Sequence, residues 1–149
     1  VKEEKQQTQL AALQKAIDTK KIVALGEIGL DARKNMPDLF LQEKVFLAQL
    51  EMARDAQLPV IIHAAKSWGR VLMKLKHFGK LPAGGLLHAF GASAEMVPQF
   101  AQMDLLMDFW FGCSGVRETL QLKKCSKIKN IAIRNQGRRH TAGVKDTNI

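Results

Sequence analysis

At 149 residues, with 46% hydrophobic and 25% charged side chains, the chain has the size and composition of one ordinary globular domain. Its apolar runs fall short of the roughly 18 to 20 residues of a membrane-crossing helix and no signal peptide opens it, so the expected setting is the cytoplasm, with no membrane partner. The net charge of +9 suggests a nucleic-acid binder only until it is divided along the chain: residues 111–149 hold nine Lys or Arg against Glu118 and Asp146, whereas the first 110 carry 14 basic and 12 acidic side chains.

The opening "VKEEKQQTQL" lacks an initiator methionine and reads as a cut into a longer protein. Leu10, Leu13 and Ile17, spaced by three and four, predict a helix over 3–19. A strand over 22–25 follows, and the stretch "IVALGEIGLD" makes it a buried-looking strand that ends on a carboxylate, Glu27. An unpaired buried charge is costly, so Glu27 needs a partner. Pro37 and Asp38 suit a helix start, and Leu39, Phe46, Leu50 and Ala53 mark one face of the helix beyond them. "LPVIIH" is a continuous apolar run of the kind found in strands covered on both faces. A helix over 67–78, a short strand in "GGLLHAF", a helix capped by Ser93 and running through Met103, and a strand in "DLLMDFWF" complete the series. Strands alternating with helices of this length indicate parallel βαβ units, an α/β fold. Cys113 and Cys125 are too few and too far apart for a paired-thiol metal site or a disulfide framework, and read as reduced thiols.

Three polar residues stand at equivalent places. Glu27, His63 and His88 each follow a predicted parallel strand, at the edge where parallel α/β folds gather ligands and catalytic groups. One carboxylate and two imidazoles suit a divalent metal, which would also supply the positive charge that Glu27 lacks. On pattern alone, hydrogen-bonded structural histidines and a loop glutamate account for these residues as well as a metal does. His77, in a charged helix, and His140, in the basic tail, read as surface residues.

At these positions the chain resembles the TatD family of metal-dependent deoxyribonucleases. The resemblance rests on "GEIGLD" (residues 26–31), on Gln42, Phe46, Gln49 and Leu50, on "PVIIH" (59–63), and on His88, Phe90 and Ser93 of an H-x-F-x-x-S pattern, all in order and at the right spacing. It covers roughly residues 11–110. It implies a (β/α)8 TIM-type barrel of the amidohydrolase kind, of which this chain holds about the third to sixth strands. It also implies one or two divalent metals (Mg, Mn or Zn) at the carboxyl mouth, DNA as substrate, and phosphodiester hydrolysis, in several members as a 3′ exonuclease. Glu27, His63 and His88 match metal-site positions of the family, with Glu27 also the catalytic carboxylate.

Departures accompany the matches. The family's first-strand H-x-H pair and its late E-T-D motif are absent, and Ala64, Ala65 and Lys66 stand where an Arg often follows the family's histidine. Near Cys113 the apolar content falls and basic residues surge. The expectation is a partial barrel over residues 1–110 and a divergent, disordered or out-of-frame basic tail over 111–149. Residues 132–136 can be encoded so that a one-base shift spells Leu-Phe-Glu-Thr, close to the missing motif. Two functions follow. The chain is a truncated TatD-type hydrolase with little or no activity, or a non-enzymatic remnant with weak metal or nucleic-acid binding. Either way, exposed strand edges invite self-association and marginal stability.

Overall fold

The computed structural model describes residues 2–108. The basic segment from residue 111 onward, with every expectation attached to it, lies outside the described residues.

A 17-residue helix, α1 (Lys2–Asp18), opens the fold; its apolar stripe is thin, and Ile17 is its buried anchor. Strand β1 spans Leu25–Asp31, so it begins where the strand expected over 22–25 ends. The displacement has a local cause. A bulge between Gly26 and Ile28 leaves Glu27 without a register partner, and Leu25, Ile28 and Leu30 are all buried. The extra residue breaks the every-second-residue pattern by which a strand is read from sequence.

Helix α2 (Leu39–Asp55) starts as its residues predict: the Asp38 carboxylate accepts hydrogen bonds from the backbone N–H groups of Phe40 (2.9 Å) and Leu41 (3.3 Å). Phe46, Leu50 and Ala53 are buried, as is Glu43, which interrupts the apolar face. Two cations on the neighbouring helix offset that cost. The Glu43 carboxylate lies 2.9 Å from Arg70 and 2.7 Å from Lys74, and the bond from Lys74 is the main influence holding it below the usual carboxylate range. Strand β2 (Val60–Ala65) and helix α3 (Trp68–Phe78) follow. Ser67 sits at the helix start, but its hydroxyl donates to the Leu30 carbonyl at 2.6 Å, tying α3 to β1 rather than capping α3.

Strand β3 (Gly85–Leu87) is short. The single helix expected from Ser93 to Met103 is instead a 3₁₀ turn (Ala94–Met96) and a brief helix α4 (Val97–Ala101). Proline, which lacks an N–H, fits only the first turn of an α-helix, so Pro98 fixes the α-helical start near Val97. Strand β4 covers Leu105–Met107 and stops before Asp108.

The four strands are parallel and neighbour one another in chain order, β1-β2-β3-β4. Sequential order without a switch point is the order of a barrel wall, not of a doubly wound sheet. The fold is α/β, a partial barrel. Leu25, Leu30, Val60, Ile62, Leu87, Leu105 and Met107 are buried, joined by a cluster of Trp68, Phe90 and Phe100 with ring centroids 4.8 to 5.9 Å apart. Residues of opposite parity, Ile61, His63, Leu86 and Leu106, remain partly exposed on the other face. Among the described residues no helix is long and apolar enough to cross a membrane.

Candidate metal centre

Parallel strands place their carboxyl ends at one edge, but of the three residues singled out from the sequence only His88 lies past its strand; Glu27 is the third residue of β1, not a residue beyond it as expected, and its carboxylate reaches toward His88. Glu27 is delivered by the β1 bulge, flanked by the pairs Gly26–Ile61 and Ile28–Ile62. His63 lies within β2 opposite Gly29, rather than just past the strand as expected. His88 does follow β3 directly, and its backbone N–H donates to the Ile62 carbonyl at 2.7 Å, which brings it beside His63. The two imidazole rings are 6.1 Å apart between centroids and inclined by 48°.

The three groups are differently held. His88 Nε2 is 3.4 Å from Glu27 Oε1, while His88 Nδ1 is 3.0 Å from Asp108 Oδ2. His63 Nδ1 is buried and has no hydrogen-bond partner among the described residues. The Glu27 side chain is 54% exposed, so the expected buried charge is in fact a carboxylate on an open face. The reason is the bulge: it turns Glu27 away from the side on which Leu25 and Ile28 pack.

An oxygen donor, an imidazole nitrogen facing it and a second, buried imidazole nitrogen without a partner fit a divalent cation in kind. Among the described residues no three His, Cys, Asp or Glu side chains already surround a single point. The donors share a mouth without being closed around one centre.

The loop beyond β1 is fixed by two polar side chains. Gln42 accepts a bond from the Asp31 N–H (2.7 Å) and donates to the carbonyls of Asp31 (2.9 Å) and Pro37 (2.6 Å), which gives this glutamine of α2 a structural task. Arg33 bonds the Asp31 carboxylate through Nε and Nη2 and through its own N–H, and holds that carboxyl down at about 2. Lys66, where the sequence departs from an expected arginine, is exposed one residue past β2.

The residue that sequence reasoning missed is Asp108. It follows β4 as His88 follows β3, and the same rule could have found it. The strand expected over "DLLMDFWF" ran past it and hid its place at the strand end.

Comparison with known proteins adds an independent line. A family model described as TatD related DNase matches residues 1–135, beyond the residue 110 at which the motif resemblance stops. The chain is 35% identical over 89 residues to the metal-dependent hydrolase YabD of Bacillus subtilis strain 168, covering 60% of this chain and 35% of that protein. It is 32% identical over 124 residues to the metal-dependent hydrolase YjjV of Escherichia coli K12, covering 82% and 45%. It is 30% identical over 102 residues to the 3′-5′ ssDNA/RNA exonuclease TatD of Rahnella sp. strain Y9602, covering 68% and 39%. The crystal structure of YjjV, a TatD homologue from Escherichia coli K12, superposes with a TM-score of 0.61 at 33% identity, over 66% of this chain and 39% of that one. The chain thus spans less than half the length of these relatives.

Proposed function

The chain belongs to the TatD related DNase family, a family of metal-dependent hydrolases, and from that premise we propose that its strand-end mouth serves the hydrolysis of DNA phosphodiester bonds from the 3′ end. The observation that carries the reading is the proximity of His88 to both Glu27 and His63, with an unpartnered buried nitrogen on His63 and a carboxylate oxygen 3.4 Å from His88 Nε2. Relatives named 3′-5′ ssDNA/RNA exonuclease support the substrate class.

Glu27, His63 and His88 would hold the divalent ion. When bound, such an ion lowers the pKa of its water and neutralises charge on the phosphoryl oxygens. Glu27, exposed on the open face, orients the attacking water and accepts its proton. The two imidazoles, fixed to β2 and to the end of β3, keep the donors on a rigid wall. Arg33 neutralises Asp31 at the rim, so the approach of a polyanion is not opposed there.

A second reading is favoured by the donor count, since no three candidate ligands already converge among the described residues. On that reading the chain binds metal weakly and does not hydrolyse DNA. Both are tested by titrating the chain with Mn²⁺ or Zn²⁺ and incubating it with 3′-labelled single-stranded DNA, beside Glu27→Ala. Metal-dependent release of 3′ nucleotides, abolished by Glu27→Ala, supports the hydrolase. Metal binding without release supports the second reading, and no binding removes both.

A further inference from the structure

Asp108 bonds through its backbone and through both side-chain oxygens to the segment that carries His88, and the hydrolytic reading leaves it without a task. Its backbone N–H donates to the Leu87 carbonyl (3.0 Å) and its carbonyl accepts from the Phe90 N–H (2.8 Å). Its side chain, 6% exposed, divides its two oxygens: Oδ1 accepts from the Ala89 N–H and Oδ2 lies 3.0 Å from His88 Nδ1. Ala89 adopts a left-handed φ of +50°, uncommon for a residue with a side chain, and the bond to Asp108 holds it there. Residues 87–90 are therefore gripped as a unit by one residue of the next strand.

The chemistry of that grip has a direction. An ionised carboxylate only accepts hydrogen bonds, so the Nδ1 of a neutral His88 must carry the proton. Its lone pair is then left on Nε2, the nitrogen that faces Glu27. We infer that Asp108 is a positioning residue that fixes the Nδ1–H tautomer of His88 and presents Nε2 as a donor to a divalent cation at the mouth. Carboxylate–histidine pairs of this kind orient ligands, raise their basicity and are worth about 10–100-fold in metal affinity. The inference rests on the metal-site reading of Glu27, His63 and His88 and adds a residue to it.

Asparagine at 108 is the informative change because it keeps the shape and removes the symmetry. With its oxygen toward Ala89 N–H, its NH₂ faces His88 Nδ1 and demands a lone pair there, which moves the ring proton to Nε2. The ring nitrogens of His88, assigned against His88→Gln, are followed by long-range ¹⁵N–¹H correlation under conditions where the ¹⁵N shifts themselves report a neutral ring. The parent chain is expected to carry the proton on Nδ1, and Asp108→Asn to move it to Nε2 with a loss of Zn²⁺ affinity of about 10–100-fold. Asp108→Glu is expected to restore the Nδ1–H tautomer in part. A parent ring protonated on Nε2, or an unchanged tautomer in Asp108→Asn, overturns the assignment. If Asp108→Asn does not fold, the parent ring decides alone. If the parent binds no Zn²⁺ while its Nδ1 carries the proton, the metal reading fails and the tautomer role of Asp108 stands.

Discussion

Gly29 on β1 faces His63 on β2 so closely that a Cβ at position 29 would overlap the histidine's carbonyl oxygen. Its φ of +143° is one that residues with side chains rarely adopt. The second glycine of "GEIGLD" thus sets the distance between the strand that delivers Glu27 and the strand that carries His63. Gly29→Ala meets both backbone strain and steric overlap, and is expected to cost about 2–6 kcal/mol. Urea or thermal unfolding checks this, and a variant that melts with the parent contradicts it.

The rim pair of Asp31 and Arg33 gives a pH signature. Hydrogen bonds from Arg33 lower the Asp31 carboxyl from 3.8 to about 2. A lowered carboxylate pKa contributes stability above its unfolded value and loses it as pH falls through the folded value. The contribution of this pair should therefore be complete above about pH 5 and fade as pH drops toward 2. A carboxyl ¹³C titration should place Asp31 near 2 in the parent chain and closer to 3.8 in Arg33→Gln. An unmoved midpoint in that variant contradicts the assigned cause.

Strand edges make a third prediction. Among the described residues β1 and β4 are each paired on one side only, and Leu106 of β4 is 46% exposed. Open edges with an apolar neighbour recruit further strands. Sedimentation velocity on the chain should show mass rising with concentration, and Leu106→Lys should shift the distribution toward monomer. A parent that stays monomeric throughout, with a sharp cooperative melt, contradicts this.

Much of this architecture was legible in the sequence, for physical reasons that also explain the misses. The helical spacing of Phe46, Leu50 and Ala53 reports burial directly, and all three are buried; in "LPVIIH" only Val60 and Ile62 are, because among the described residues the sheet is covered on one face and Ile61 and His63 stand on the other. Asp38 caps α2 through a local interaction that sequence alone encodes. The β1 boundary was illegible because a bulge destroys periodicity, and the bulge depends on pairing with a strand 35 residues later in register, Leu25 with Val60. Glu43 reads as a surface residue on any scale. Only the approach of Arg70 and Lys74 from α3 makes its burial tolerable. At the site, the residue types were visible for Glu27, His63 and His88, but strand-end placement holds for His88 alone, since Glu27 lies within β1 and His63 within β2. The contacts of His88 with Asp108 and Glu27 are tertiary, and no spacing announces them.

The central claim is that Glu27, His63 and His88 together hold a divalent metal. Its most direct test adds substoichiometric Mn²⁺ to isotope-labelled chain and follows paramagnetic broadening of side-chain signals. The account predicts selective loss of the His63 and His88 ring signals and the Glu27 carboxyl signal, with the effect on both rings weakened in Glu27→Ala. Broadening spread evenly over the surface carboxylates, with both rings left sharp, would contradict it.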